Sequence, residues 1–493
     1  MSILSLDFLV FFAAVLIVYY IFPLKIRWVA LLAASLVFVA LSGWQSAAHL
    51  SIVALTVWAG GLGLQALRGV RMRKLLLTLL LMLNLGAMML IKYQPVFSDW
   101  FGFSVWEMGV PLGLSYFTFQ SVGYLIDVYR GKVQAQHNPF RVWLFAGYFP
   151  QLSQGPISTW KELGHQLLEG HRFEPEQFVS GFQLLLWGYF KKLVIADRLA
   201  ATTSALLTEN NALPGWFVLG GVVLFAIRLY MDFSGGMDVV RGLSRMLGIE
   251  LPENFRRPFF SRSVAEYWRR WHITLGAWFR SYLLYPLTTS SASLALSKGA
   301  SKALGKRVGL ALPSALATFL VFVFIGIWHT ANVNALVFGA YFGVVMAVSM
   351  LLDPVWKAMR RRLKLPKGGW MTVVRLVRTW LLILLAQFFA FTNSAAQGFS
   401  LLRQSFSTWD FSAFSEKMTS VMPLLEWGIA GAGLLVALVV DLLCERKKDM
   451  DARFLNAGIL VRWPLLLMLL LSILVFGIYG SGYDAQAFLY TQF

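Results

Sequence analysis

The sequence has 493 residues, of which 58% are drawn from Ala, Val, Ile, Leu, Met, Phe, Trp, Tyr and Cys and 14% are charged; its mean hydropathy is +0.65. Ordinary soluble domains are about 45–50% apolar on a comparable count and about 25% charged, so a soluble enzyme, a disordered chain and a secreted disulfide scaffold are excluded. The net charge of +19 raises nucleic acid as a ligand, but Lys and Arg fall in the gaps between apolar runs. That is the pattern of loops retained in the cytoplasm, and no nucleic-acid partner is expected. The single cysteine, Cys444, forms no intrachain disulfide and no cysteine metal cluster.

The N-terminal stretch MSILSLDFLVFFAAVLIVYY has neither a basic leader nor a small-residue cleavage site, and reads as a first span kept in the protein. Apolar runs follow in chain order at 8–22, 28–42, 51–67, 75–91, 215–231, 309–327, 333–352, 379–394, 424–443 and 463–480. Each is close to the roughly 20 residues that cross a bilayer. Weaker runs lie near 110–126, 140–152 and 179–196. The expectation is an all-α, multi-pass membrane protein of about 10–13 spans. No internal repeat appears, so 1–493 is expected to form one membrane domain, with N-terminal spans over 1–108, a catalytic core over 109–345, and C-terminal spans with an outer tail over 346–493.

The gap after the first run holds Lys25 and Arg27, the next holds no basic residue, and the third holds Arg68, Arg71, Arg73 and Lys74. Further basic gaps carry Lys302, Lys306 and Arg307, then Lys357 to Arg362, then Arg446 to Lys448. The alternation predicts both chain ends outside a cell membrane and these gaps in the cytoplasm.

The stretch Arg228–Leu287 mixes nine arginines with five carboxylates and many aromatics. It cannot face lipid, so it is expected at the interface or re-entering within the protein. Within it, Glu266 to Tyr282 has helical spacing, with Trp268, His272, Leu275 and Phe279 on one face and Arg269 and Arg270 turned aside. Of the six histidines, His272 and His329 sit in aromatic, apolar surroundings. His329 ends an apolar run and is followed by Thr330, Asn332 and Asn334, which places an imidazole beside a polar break at depth. Such a group suits general-base acyl transfer, because a neutral imidazole accepts a hydroxyl proton near neutral pH. No G-x-S-x-G, P-loop or H-E-x-x-H string occurs, and two histidines 57 residues apart make no metal site, so none is expected.

The strings PLGLSYFTFQSVGYLIDVYRG (111–131), YFPQLSQGPI (148–157), MDFSGGMD (231–238), ENFRRPF (253–259), EYWRRWHITLGAWFRSYLLYPL (266–287) and GIWHTANV (326–333) carry a family resemblance. The chain resembles the membrane-bound O-acyltransferases, in the bacterial branch of alginate O-acetylation and teichoic acid D-alanyl transfer. The resemblance implies a ring of tilted helices with re-entrant segments around a central tunnel, His329 as the catalytic histidine, and His272 as a second functional residue near that tunnel. It implies no tightly bound cofactor: an acyl thioester, acetyl-coenzyme A or the phosphopantetheine of an acyl carrier protein, enters from the cytoplasm, and a hydroxylated polymer approaches from outside. The family often has Gly where Thr330 stands and Asp where Ser281 stands.

Trp328 and Asn332 flank His329 as candidate substrate contacts; Asp232 and Asp238 of the DFSGGMD string are further candidates, able to orient a histidine or bind an arginine, with ion pairing to Arg228 or Arg241 as the other reading. Arg256, Arg257, Arg269 and Arg270 are candidates for donor phosphates, with lipid anchoring as the plain alternative, and Arg280 is a further candidate substrate-binding residue. The ending FLYTQF resembles the terminus of a small partner in the teichoic acid system, which marks Tyr490 as an acyl relay to an external acyltransferase or esterase-like partner, or else as an interfacial anchor. A polymer or lipid transporter is the rival of another class; it shares the many spans but consumes no thioester.

Overall fold

The computed structural model describes residues 1–102, 109–208, 214–330, 332–366, 368–392, 394–407, 409–412, 414–446, 454 and 456–479. The described residues are predominantly helical, with one isolated antiparallel bridge between Phe255 and Trp271. Among them nine helices are long and apolar enough to cross a membrane, and the sixteen-residue Leu6–Ile21 is a shorter apolar helix. Each of the ten strong apolar runs therefore appears as a helix. The weaker runs do not appear as full spans: Leu114–Tyr129 has sixteen residues, Pro139–Gly147 has nine, and Pro175–Tyr189 has fifteen before passing into a π-helical turn at Phe190–Ala196.

The chain divides into two compact units that interleave in sequence. One takes Met1–Val194, Asp232–Glu253 and the C-terminal segment with helix Ile459–Phe476. Its aromatic core joins Phe8, Phe12 and Phe38 to Phe149, with ring centroids 5.9–6.4 Å apart. Arg27, expected as a basic loop residue, is buried here, and its guanidinium donates to the carbonyls of Phe22, Tyr20 and His171. Glycines set one helix seam. A Cβ at Gly188 would fall 2.5 Å from the Gly235 carbonyl oxygen, and one at Gly242 would fall 2.6 Å from that of Gly181. Only small residues let two backbones approach so closely, which explains the paired glycine of the SGGMD string.

The helix Gly215–Met246 runs well past the expected end at 231 and carries Asp232, Asp238, Arg241 and Arg245 in its second half. Charges that were expected to break the span are instead matched within this unit. Lys192 pairs with Asp232 at 2.6 Å, Lys191 with Asp238 at 2.6 Å, and Arg245 with Glu250 at 2.8 Å.

The second unit takes Ile195–Met231 and Asn254–Arg446. Its backbone is the helical hairpin Lys306–His329 and Val333–Arg362, where a Cβ at Gly326 would lie 2.2 Å from the Ala335 carbonyl oxygen and one at Gly339 2.5 Å from that of Phe322. Trp268 wedges against this hairpin, edge-on to Phe322 at 5.2 Å and to Phe342 at 4.9 Å. A separate apolar cluster gathers Trp216, Phe217, Val222 and Phe225 against Phe388, Phe389, Phe391 and Leu401. Phe259 stacks on Trp380 at 4.2 Å, and the Trp380 indole N–H donates to the Phe259 carbonyl.

Candidate active site

The helix expected over Glu266–Tyr282 is broken at its centre. Val264–Arg270 starts on the Ser263 hydroxyl, which accepts the Glu266 N–H at 3.1 Å, and ends at an extended Trp271. His272 then takes a left-handed backbone, φ 46° and ψ 55°, before Ile273–Phe279 and a π-helical turn at Arg280–Leu284. The cause lies eighteen residues upstream. The segment Asn254–Arg256 runs antiparallel to the break, with the Arg256 N–H donating to the Arg270 carbonyl at 2.8 Å and the Ile273 N–H to the Asn254 carbonyl at 3.0 Å. A left-handed conformation costs a non-glycine residue about 1–2 kcal/mol, and these hydrogen bonds offset it.

The break presents an oriented imidazole. His272 is 2% exposed, and its Nδ1 lies 3.2 Å from the carboxamide oxygen of Asn254. The same oxygen accepts the Thr274 backbone N–H and the Thr274 hydroxyl, each at 3.0 Å. A backbone N–H can only donate, so the atom facing it is the oxygen and not the amide nitrogen. The contact at Nδ1 is then a donated one: His272 carries its proton on Nδ1, and Nε2 bears the lone pair of the neutral ring.

Burial, reinforced by repulsion from the nearby His329, holds His272 well below the usual histidine range. His272 lies outside the nine span-length helices. A depressed value means that the unfolded chain takes up a proton below pH about 6.5 that the folded chain refuses, so stability falls on acidification, by about 1.4 kcal/mol per pH unit until the lowered value is reached. Unfolding midpoints of the detergent-solubilised protein should fall more steeply with acid for the wild type than for His272→Gln; parallel profiles would contradict the assignment. Replacing Asn254 by Leu strands the buried Nδ1–H at a cost of about 1–3 kcal/mol. The expected result is a lowered unfolding midpoint and reduced turnover in Asn254→Leu, with recovery in Asn254→Asp, which keeps an oxygen there.

His329 ends the first helix of the hairpin, after which Thr330 is extended. It is half-buried, and its ring packs at 4.6 Å on that of Trp328, which is itself buried. The two histidines that sequence reading singled out thus come together within one unit, close enough for one to act on the charge of the other.

The remaining candidates are distributed differently. Asp232 and Asp238 belong to the other unit and pair with Lys192 and Lys191; Asp238 also meets Arg241 at 3.5 Å. Arg270 is bound to Glu266 at 2.7 Å and Glu445 at 2.9 Å, and Arg257 shares Glu445 at 3.1 Å. Arg256, Arg269 and Arg280 are exposed. Asn332 is exposed too, and its side-chain oxygen accepts the Ala335 N–H at 2.8 Å as the cap of the second hairpin helix. Tyr490 lies outside the described residues. Sequence reading did not single out Asn254 or Thr274 as site residues. Asn254 stands inside the ENFRRPF string, but nothing local to that string reports a histidine partner.

No family model matches the chain. It is 35% identical over 244 residues to a protein of Pseudomonas aeruginosa named probable alginate O-acetylase, a match covering 49% of this chain and 43% of that one. It is 32% identical over 349 residues to the Azotobacter vinelandii protein of the same name, covering 68% of this chain and 65% of that one. A teichoic acid D-alanyltransferase of Bacillus subtilis is 26% identical over 276 residues, covering 55% of this chain and 65% of that one. The chain thus spans about half to two thirds of the length of these curated relatives.

Proposed function

We propose that the chain is a membrane-bound O-acyltransferase that moves a small acyl group from a cytoplasmic thioester to a hydroxyl of an extracytoplasmic polymer, a reading supported by its similarity to the alginate O-acetylases and the teichoic acid D-alanyltransferase. The observation that carries the reading is a buried His272 whose tautomer Asn254 sets, in the same unit as a half-buried His329 near enough to act on its charge. In the proposed step the hydroxyl gives its proton to His329 as its oxygen attacks the thioester carbonyl. The carbon–sulfur bond then breaks, and the thiolate leaves with that proton, so thioester and alcohol become ester and thiol. His272 orients a reactant through Nε2. A positioned base supplies about 10²–10⁴-fold, and holding the two substrates in line supplies the larger share.

Acetyl is the favoured group, because the alginate O-acetylases share 31–35% identity with the chain where the Bacillus subtilis D-alanyltransferase shares 26%. Exposed Arg256, Arg269 and Arg280 suit the phosphates of coenzyme A or of a carrier's phosphopantetheine, whereas Arg270 is held by Glu266 and Glu445. Tyr490 is a candidate to relay the acyl group to an external partner, since a phenol oxygen becomes a nucleophile once its proton is removed. Tyr490→Phe keeps the aromatic anchor and loses the nucleophile, so unchanged acylation in that variant refutes the relay.

Mass spectrometry of cell-envelope polymers from cells with and without the chain tests the reading. Ester-linked acetyl that disappears with the chain supports it, and ester-linked D-alanine in its place supports the teichoic acid alternative. Unchanged polymer esters overturn both and favour transport.

A further inference from the structure

Asn332 and Asn334 both follow His329, and the fold gives them opposite duties. The Asn332 oxygen is occupied as a helix cap. Asn334 is 2% exposed, and its amide nitrogen donates to the Thr392 carbonyl and, at 3.2 Å, to the Thr392 hydroxyl. A carbonyl oxygen can only accept, so it fixes which way the carboxamide points: nitrogen toward Thr392, oxygen away. That oxygen is buried and has no hydrogen-bond partner among the described residues. An unmatched buried acceptor is unfavourable, so this fixed oxygen is suited to a donor that the described residues do not supply.

Position and charge say what the donor is. Gly326 packs on Ala335, so the tip of the hairpin holds His329 on one helix and Asn334 on the other. A second buried carboxamide oxygen without a partner among the described residues, that of Gln387, lies in the last turn of Trp370–Ala390, the turn that leads into Thr392. Asn334 offers a neutral acceptor of fixed direction, and Gln387 a second neutral carboxamide. They suit a ligand rich in hydroxyl donors rather than the phosphates of the thioester donor.

We propose that Asn334 is a recognition residue for the polyhydroxyl acceptor, its side-chain oxygen accepting a hydrogen bond from an acceptor hydroxyl beside His329, with Gln387 accepting from a second. This rests on the acyl-transfer reading above. It makes Asn334 a determinant of acceptor binding and leaves donor binding to other groups.

The test uses membranes containing the full chain, acetyl-coenzyme A as donor, and mannuronate oligosaccharides or glycerol as acceptor probes, with thiol release and ester formation followed together. Asn334→Leu is expected to raise the acceptor KM about tenfold while the donor KM moves less than twofold. Gln387→Leu should show the same split at smaller size, and keeps the proposal testable where Asn334→Leu fails to accumulate. An unchanged acceptor KM in both variants overturns the proposal, as does an equal rise in the two KM values, which marks a scaffolding role. Thiol release by the wild type without ester formation on either probe also overturns it while leaving thioester consumption intact. Absence of thiol release by the wild type overturns the acyl-transfer reading and this one with it.

Discussion

Replacing His329 by alanine is expected to lower thioester-dependent acylation by about 10²–10⁴-fold while the protein still accumulates in membranes. The size follows from the role. A hydroxyl is a poor nucleophile until a base takes its proton, and His329 stands at the end of its helix, half-buried, within electrostatic reach of a neutral imidazole. His329→Gln is the sharper variant, because glutamine keeps bulk and hydrogen bonding but holds no proton at neutral pH; it should be as inactive as alanine. His272 cannot substitute, since its Nδ1 is committed to Asn254 and its burial disfavours the protonated state that a base must reach. Acylation within about tenfold of the wild-type rate in both His329 variants would remove the base assignment.

The second large effect concerns stability. Lys192 and Asp232 form a buried pair at 2.6 Å whose side chains are 0% and 1% exposed. Lys192→Met leaves a carboxylate in a low-dielectric setting with its principal counter-charge removed, and such losses cost about 3–5 kcal/mol. The double variant Lys192→Met, Asp232→Leu removes both charges and is expected to recover most of that loss, because replacing a buried pair by apolar groups is often close to neutral. Thermal midpoints in detergent check the order: wild type and double variant high, single variant low. A single variant as stable as the double one would contradict the pairing. The double variant also separates the two roles of Asp232. Normal acylation assigns it to the fold, and lost acylation in a stable double variant assigns it to substrate.

Much of the helical layout is legible in hydropathy, because a run of apolar residues near bilayer length has few other solutions. All ten strong runs are helices, from Leu6–Ile21 to Ile459–Phe476. What local pattern could not carry are the features decided by residues distant in sequence. The helix Gly215–Met246 continues through Asp232 and Asp238 because Lys191 and Lys192, some forty residues earlier, neutralise them. The stretch from Glu266 to Tyr282 has helical periodicity, yet it breaks at His272 because Asn254 supplies the hydrogen bonds that a continuous helix would have made. The same limit separates Asn332 from Asn334. Each follows the catalytic candidate by a few residues, and only the cap to Ala335 and the contact to Thr392 distinguish them. His272 and His329 were legible because ionisable groups are scarce in apolar, aromatic surroundings.

The most direct test is transfer across a sealed membrane. In proteoliposomes with labelled acetyl thioester confined to the face bearing the basic loops and a hydroxylated polymer on the other, the account predicts labelled ester on the polymer with the wild-type chain and none with His329→Ala. Equal labelling by the two proteins, or labelled thioester itself crossing to the polymer side, would contradict it.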